Sequence, residues 1–339
     1  MRTYDEIQCL QLISVSEAVE IIREVFNNSE HVDWHMIPKT YLDIVKDGHV
    51  HGDFRAMPAR MGNISGIKWV SAFPNNPISN SCPTVIGTIL LNCSETGQLL
   101  AIVDGTYVTK IRTAAAAAVA SEKLSRQGSQ IAAFVGCGQQ AMLHVQAISH
   151  AVPELEKFVF YDHDRQRAKN ISKAWAEATG CKTFIANNVE ECVKHADILT
   201  TLTPSREPIV KGEWLKSGVH INAMGADAKG KREFGDDVYD RVDLWTYDQI
   251  TQASHSGETQ YISSHDIWKK EDCVMSIGQA KRSSVDHDTQ ITLFDSTGLA
   301  LQDIAIANWI YEKDIEQEDV LSIRGFGYTE GSQHGGKRS

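Results

Sequence analysis

Two patterns of apolar and polar positions divide the chain. Between residues 34 and 110, short apolar segments rich in β-branched residues, such as GIKWVSAF and TVIGTILLN, are separated by the turn-forming runs PNNP and CSETG. This pattern predicts a meandering sheet. From Gln130 onward, apolar segments such as KFVFYD alternate with helical patterns such as residues 164–178. Strands that alternate with helices predict a parallel, doubly wound sheet.

Helices are predicted at the ends of these two regions. Residues 1–27 indicate a short strand and then a helix, with Ser16 as its N-cap because an apolar helical pattern follows. A long helix with a polyalanine run starts near Thr109, and another starts near Thr297 and is expected to return to the first region. The polar, glycine-rich tail at 326–339 is predicted to be disordered.

Length and charge bound the fold and the class of protein. A chain of 339 residues is too long for one compact core, so two domains are expected. The net charge of -11 argues against nucleic acid and anionic membranes as partners, since both require basic surfaces. No apolar run reaches the length of a membrane span, and the first residues lack the apolar core of a signal peptide.

The seven cysteines indicate a reducing compartment. Their number is odd, and no two of them have the CxxC spacing of a zinc ribbon or a redox pair. The histidines give no metal-site pattern either, since His31 and His35 have helical spacing but no further ligand fixed near them. We therefore expect a cytoplasmic protein without a bound metal ion.

A glycine-rich loop is the first candidate binding site. In IAAFVGCGQQAMLHVQAI, an apolar strand leads into Gly136, Gly138 and Ala141 and then into a helix. Gly136 would make the tight turn, and Gly138 would let the backbone approach a pyrophosphate at the helix N-terminus. We predict a Rossmann dinucleotide site. The alternative is a strand, turn and helix with a glycine cap and no ligand.

The acidic end of the next strand bears on the choice of cofactor. The segment FVFYD ends at Asp162, a little further on than the usual spacing of about twenty residues. A carboxylate there can accept hydrogen bonds from both ribose hydroxyls and would repel a 2′-phosphate. Asp162 therefore favours NAD over NADP, although the nearby Arg165 keeps NADP possible.

Further motifs extend the pattern over most of the chain. In order they are SGIKWV with Lys68, CPTVIGTILL with Thr84, TKIRTAAAAAVA with Arg112, VGCGQQA, HINAMGADAKGKREF with Asp227, and ITLFDSTGLALQD with Ser296. Together these motifs resemble the ornithine cyclodeaminase/μ-crystallin family. The resemblance covers about residues 10–315 and both predicted domains.

The resemblance implies an α/β architecture and a reaction. It implies a substrate-binding and dimerisation domain of α+β type at residues 1–115 and 300–325, and an NAD-binding Rossmann domain at 116–299. Members of the family are usually homodimers that bind NAD(H) or NADP(H) and interconvert amino acids with imines. We therefore expect an enzyme that transfers hydride at the Cα of a small amino acid.

The resemblance also implies roles for three charged residues. Lys68 and Arg112 match the cations that bind the substrate carboxylate, with Lys68 at the reaction centre and Arg112 also within reach of the cofactor phosphates. Asp227 matches the catalytic acid/base. The structural alternatives are an exposed Lys68, an Arg112 that caps a helix or pairs with an acid, and an Asp227 that caps the following segment.

The remaining expected contacts are mostly with the cofactor. Thr84 is expected to hydrogen-bond substrate or nicotinamide. The expected cofactor contacts, in chain order, are Arg112, Thr113, Gly136, Gly138, Gln139, Gln140, Asp162, Thr203, Met224 and Ser296. For the threonines and Ser296, the alternative is a hydroxyl that satisfies the local backbone in a turn.

Two basic positions separate the branches of the family. Cyclodeaminases usually carry an arginine at Lys39, and ornithine cyclodeaminases carry a glutamate at Arg55 that would hold the side-chain ammonium of ornithine. Arg55 places the opposite charge there, which is unfavourable for such a substrate. The segments PKTYL and GDFRAMPA look instead like the alanine dehydrogenases of this family, in which Lys39 and Arg55 would face the substrate carboxylate. The alternative is that Arg55 pairs with Asp53 or another acid and never meets substrate.

Three functions follow from these motifs. The first is an NAD-dependent oxidoreductase of the alanine dehydrogenase type, which yields keto acid, ammonia and NADH. The second is an ornithine or lysine cyclodeaminase or a cyclic ketimine reductase. The third is a protein that binds a dinucleotide without turnover, although the acid/base match at Asp227 argues against it.

Overall fold

The computed structural model describes residues 1–28, 33–269, 271–281 and 288–315. His31 and residues 316–339, which include the predicted tail, lie outside the described residues. The chain forms two compact units. The described part of the first unit comprises residues 1–13, 33–108 and 303–315, and the second unit takes the rest.

The first unit is built on one seven-stranded sheet. Its strands are β1 (Arg2–Tyr4), β2 (Trp34–Met36), β3 (Thr40–Lys46), β4 (His49–Met61), β5 (Ile64–Ala72), β6 (Val85–Cys93) and β7 (Leu99–Asp104). The order is β1-β7-β6-β5-β4-β2, and β3 also pairs with β4. Strands β2 to β7 pair antiparallel, which confirms the predicted meander, while β1 adds parallel to β7.

The two faces of this sheet differ in burial. Cross-strand partners share a face, and β4 pairs Met57 with Lys68 and Arg55 with Val70. These four side chains are buried, so two basic residues lie on the same face as the apolar core. The opposite face leaves Leu42, Trp69 and Ile86 exposed by 55%, 44% and 41%. Exposed apolar residues on one sheet face are typical of an interface.

The second unit is built on an eight-stranded sheet. Its strands are β8 (Ile131–Val135), β9 (Lys157–Tyr161), β10 (Lys182–Ile185), β11 (Ile198–Thr201), β12 (His220–Ala223), β13 (Leu244–Tyr247), β14 (Val274–Ser276) and β15 (Thr292–Asp295). The order is β10-β9-β8-β11-β12-β15-β13-β14, and every pair is parallel. The predicted α/β fold with a doubly wound sheet is confirmed. Strands β14 and β15 are additions to the predicted sheet.

Helices flank the strands in both units. Their bounds are α1 (Glu6–Leu12), α2 (Val15–Asn27), α3 (Asn76–Ser79), α4 (Gly105–Leu124), α5 (Ala141–Ala151), α6 (Arg165–Thr179), α7 (Val189–Val193), α8 (Asp236–Tyr239), α9 (Ile250–Ser256) and α10 (Ala300–Ile315). The polyalanine run of α4 is fully buried. Small side chains allow a helix to pack closely against its neighbours. Within the described ranges, no helix is both long enough and apolar enough to cross a bilayer.

The first residues differ from the prediction in two ways. Helix α2 begins after Ser14, not Ser16, because the Ser14 side chain accepts a hydrogen bond from the N–H of Glu17 in a capping box. Residues 14–28 also belong to the second unit, whereas the prediction placed them with residues 1–115. Phe26 packs edge-on against Phe294 of β15, which explains this grouping.

His35, His49 and His51 lie in strands. The segment HVHGD begins β4, because the preceding turn falls at Asp47 and Gly48, which both have positive φ. His35 lies in β2.

The cap assignment at α2 gives the first prediction. Ser14→Ala should lower the free energy of unfolding by about 1 kcal/mol, because it removes the acceptor of the Glu17 N–H. Ser16→Ala should change it by less than about 0.5 kcal/mol. Urea unfolding followed by circular dichroism measures both, and equal losses in the two variants would contradict the assignment.

Candidate functional site at the carboxyl edge of the parallel sheet

The glycine-rich loop leaves β8 at the carboxyl edge of the second sheet. Gly136 has φ of +100°, and a Cβ there would meet the carbonyl carbon of Leu202 at 3.0 Å, so glycine is required. Gly138 is exposed and has open space where a Cβ would stand. Helix α5 then begins at Ala141, with no side-chain cap from Gln140. An open glycine loop before an uncapped helix N-terminus fits a pyrophosphate.

Asp162 follows β9 beside this loop and is 9% exposed. Its Oδ2 accepts a hydrogen bond from the Cys137 N–H at 2.7 Å, and its Oδ1 accepts from the Asp164 N–H at 2.9 Å. The carboxylate therefore joins the glycine loop to the end of β9. Because a carboxylate oxygen can accept two hydrogen bonds, Asp162 retains acceptor capacity for ribose hydroxyls.

Three further predicted cofactor residues lie past the ends of neighbouring strands. Thr203 follows β11, and both its N–H and its hydroxyl donate to Glu233 Oε1, at 2.8 and 2.7 Å. Met224 follows β12 and is buried. Ser296 follows β15, and its hydroxyl lies 3.4 Å from Asp248 Oδ2. The structure therefore brings these residues to one sheet edge, with both hydroxyls also engaged locally.

The other cofactor candidates lie on helices α4 and α5. Gln139 is exposed and Gln140 half-buried in the loop before α5. Thr113 donates its hydroxyl hydrogen bond to the Thr109 carbonyl at 2.6 Å, which is the local alternative. Their roles stay predictions.

Asp227 lies in a turn just past the end of β12. Its N–H donates to the Gly225 carbonyl at 3.1 Å, and its carboxylate pairs with Lys231, four residues on. No helix follows directly, since Ala228 to Lys231 form a turn, so Asp227 does not cap one. The carboxylate is 36% exposed and therefore accessible to a ligand at this edge.

Arg112 is buried on α4 and is oriented by two neighbours. Its Nη1 donates to Gln302 Oε1 at 3.2 Å, and its guanidinium packs against Gly298, where a Cβ would meet Nη1. Burial lowers the pKa of His144 on α5 to about 4, and the charge of Arg112 acts in the same direction. His144 is therefore neutral near pH 7, with its Nδ1 2.9 Å from the Gln140 carbonyl.

The first unit carries the predicted substrate residues. Lys68 is 1% exposed on β5, so the alternative of an exposed lysine is wrong. Its Nζ lies 2.7 Å from Oδ2 of Asp303 on α10, which is 0% exposed. Lys39 directly precedes β3 and is half-buried, and Thr84 directly precedes β6 and is half-buried.

Arg55 forms the ion pair that was considered as its alternative. Its Nε and Nη2 donate to the two carboxylate oxygens of Asp53, at 2.6 and 3.2 Å. Its guanidinium also lies 5.4 Å from the ring centroid of Tyr41. This geometry fixes the plane of the guanidinium on the buried face of the sheet.

The family can be identified from the whole sequence. The model of the ornithine cyclodeaminase/mu-crystallin family matches residues 1–318. The chain belongs to this family. The resemblance inferred from the sequence motifs is thereby confirmed.

Individual family members give a finer comparison. An alanine dehydrogenase from Archaeoglobus fulgidus is 36% identical over 96% of this chain and 98% of its own length. A solved archaeal alanine dehydrogenase dimer with bound NAD has a TM-score of 0.87 at 35% identity, covering 96% of this chain and 99% of that one. The Δ1-pyrroline-2-carboxylate reductase of Thermococcus litoralis, solved with NADH and L-proline, has a TM-score of 0.86 at 27% identity, covering 95% and 100%.

Several charged or polar residues at these sites were not predicted. Asp303, Glu233, Asp248 and Gln302 each contact a predicted site residue. Glu233 and Asp303 are visible in the motifs KGKREF and LALQD, but only the fold shows which partner each one meets. Among the described residues, no group of three or more histidines, cysteines or acids could hold a metal ion.

The buried Lys68–Asp303 pair gives the second prediction. Asp303→Asn should lower the free energy of unfolding by about 3–5 kcal/mol, because it removes a carboxylate that pairs with a buried ammonium. The double variant Lys68→Met/Asp303→Leu should recover much of the loss. Asp314→Asn on the same helix, at a partly exposed pair with Arg2, should cost about 1 kcal/mol or less. Equal losses of unfolding free energy in the three variants, measured by urea unfolding, would contradict this account.

Proposed function

We propose that this chain is an NAD-dependent oxidoreductase that interconverts a small L-amino acid with its keto acid and ammonia. The observation that carries the proposal is the carboxyl edge of the parallel sheet, where the Gly136–Gly138 loop, Asp162 and Asp227 gather. Carboxyl ends of strands are where ligands bind in such sheets. The alanine dehydrogenase relative, similar over 96% of the chain, supports the substrate class.

The cofactor site would be held by backbone and one acid. The loop amides would bind the pyrophosphate, and Asp162 would accept the ribose hydroxyls and disfavour a 2′-phosphate. Thr203 would meet the cofactor as an acceptor, because its hydroxyl proton is donated to Glu233. When bound, NAD would supply the acceptor for the hydride from the substrate Cα.

Asp227 would move the protons of the reaction. Its partly exposed carboxylate can take a proton from the amine or from the water that attacks the imine. The overall balance is amino acid, NAD⁺ and water to keto acid, ammonium, NADH and a proton. We assign Lys68 and Arg55 to the substrate carboxylate, with Lys39 and Thr84 as further contacts. Arg112 would bind the substrate carboxylate and reach the cofactor phosphates, as the family resemblance implies.

A cyclic ketimine reductase or a cyclodeaminase is the second candidate. The reductase from Thermococcus litoralis, with its L-proline ligand, favours it. The pairing of Arg55 with Asp53 also offsets the charge that would repel a diamino acid. The two candidates differ in products, since a cyclodeaminase releases ammonia without net NADH.

We further propose a homodimer in the cytoplasm. The dimeric archaeal neighbour and the exposed apolar face of Leu42, Trp69 and Ile86 support the dimer. All seven cysteines are free, which favours a reducing compartment.

The reaction gives the third prediction. Purified protein with L-alanine and NAD should release NADH and ammonia in equal amounts, and NADP should be used more slowly. Asp227→Asn should lower kcat about 10²- to 10⁴-fold, because the amide cannot accept the proton. Asp266→Asn is the matched control, since Asp266 pairs with Lys269 on an exposed surface. Ammonia from ornithine or lysine without NADH would exclude the dehydrogenase.

The dimer gives the fourth prediction. Light scattering should give a mass twice the 37.6 kDa of one chain. Trp69→Glu should shift it to one chain mass, because a carboxylate cannot be buried unpaired in an apolar interface. Phe184→Glu alters a similarly exposed aromatic residue of the second unit and should leave the dimer intact. A dimer that survives Trp69→Glu would exclude this face.

A further inference from the structure

We infer that Glu233 is a positioning residue whose buried carboxylate fixes the two loops that carry Thr203 and Asp227. The inference rests on the proposed function, because it takes these two residues as parts of the site. It concerns a residue that touches neither substrate nor cofactor. Glu233 acts through the backbone of two strand ends.

The Glu233 carboxylate is fully buried and accepts four hydrogen bonds. Its Oε1 accepts from the N–H and the hydroxyl of Thr203, at 2.8 and 2.7 Å. Its Oε2 accepts from the Thr201 hydroxyl at 2.7 Å and the Gly225 N–H at 2.9 Å. In the described part of the chain, no lysine or arginine pairs with it. Burial raises the pKa of Glu233, and the four hydrogen-bond donors, two of them backbone amides, act in the opposite direction.

These donors belong to adjacent parallel strands. Thr201 ends β11, Thr203 lies two residues further, and Gly225 lies two residues past the end of β12. The loops are packed so closely that a Cβ on Gly225 would meet the Thr203 carbonyl oxygen at 2.2 Å and Glu233 Cδ at 2.5 Å. One carboxylate thus holds two strand ends at the edge where the cofactor is proposed to bind.

A single turn connects the Glu233–Gly225 hydrogen bond to Asp227. Glu233 accepts the Gly225 N–H, and the Gly225 carbonyl accepts the Asp227 N–H at 3.1 Å. The position of the Asp227 carboxylate therefore depends on where Glu233 holds Gly225. Displacement of a reacting group by about 1 Å costs on the order of 10²-fold in rate.

An amide cannot replace this carboxylate. Each oxygen of Glu233 faces one backbone N–H, from Thr203 or from Gly225, and neither group can accept a hydrogen bond. In Glu233→Gln, the side-chain NH₂ must face one of the two. That strand end is expected to move away, while the volume of the side chain stays the same.

Glu258 provides a matched control in the same buried region. It is also fully buried, and it accepts the Glu233 N–H at 2.7 Å and the Tyr239 hydroxyl. A glutamine there can keep the first contact, because the Tyr239 hydroxyl can turn to the Phe234 carbonyl, 3.2 Å away. Glu258 contacts neither Thr203 nor Gly225 among the described residues.

The test compares Glu233→Gln with Glu258→Gln in the full-length chain. We measure kcat and KM with alanine and NAD, the Kd for NAD by quenching of tryptophan fluorescence, and Tm. Glu233→Gln should lower kcat at least tenfold and raise the Kd for NAD several-fold, whereas Glu258→Gln should leave both within about twofold. Equal kinetic constants in the two variants, with similar losses of Tm, would mean a purely structural role and would overturn the proposal.

The readouts separate this proposal from the proposed function. If the wild-type chain oxidises no amino acid, the proposed reaction is excluded, and the Kd for NAD alone tests the positioning role of Glu233. Weaker NAD binding by Glu233→Gln then supports that role, and unchanged binding overturns it. If Glu233→Gln does not fold, Thr201→Val replaces it, because it removes one donor to the carboxylate and leaves the proposed cofactor contacts unchanged. A Kd raised about tenfold then supports the proposal, and an unchanged Kd overturns it.

Discussion

Buried carboxylates that accept pairs of backbone amides hold the second unit together at the ends of its strands. A strand that leaves a parallel sheet carries N–H groups for which the ladder offers no further partner, and such groups must be satisfied when buried. Asp162, Glu233, Asp248 and Asp295 each accept at least two backbone N–H groups at the carboxyl edge. Asp197 does the same for Gln130 and Ile131 at the other edge. The loops that form the candidate site depend on these contacts.

This arrangement has an electrostatic consequence. Burial raises the pKa of Asp295 to about 7 and that of Glu258 to about 8, because a charge without water is costly. Asp197, by contrast, has hydrogen bonds and ion pairs with Lys216 and Arg126, and its pKa is lowered despite burial. Asp295 at the carboxyl edge is therefore satisfied by hydrogen bonds, whereas Asp197 at the other edge is also paired with cations.

In the first unit, buried cations are paired with carboxylates. Lys68 and Arg55 lie on the apolar face of an antiparallel sheet, and each meets a carboxylate, Asp303 or Asp53. Pairing offsets the cost of burying these cations and fixes their orientation. The bidentate contact of Nε and Nη2 with Asp53 holds the Arg55 guanidinium in one plane.

The sequence by itself determined the fold class, the glycine loop and the family. Strand and helix periodicity is a local signal, and Gly136 and Gly138 lie only two residues apart in the chain. Thus the doubly wound sheet and the meander could be predicted, apart from strands β14 and β15. The motifs also named Lys68, Arg112 and Asp227, although their roles stay predictions.

Only the tertiary structure decided the partners of these residues. Lys68 meets Asp303 across 235 positions of the chain, and Glu233 reaches Thr203 and Gly225 because β11 and β12 lie side by side. Arg55 pairs with Asp53 because residues two apart share a face of a strand, a choice that the sequence left open. The reason is physical: a side chain's type follows from the sequence, whereas its burial and its hydrogen-bond partners follow from the packing of distant segments.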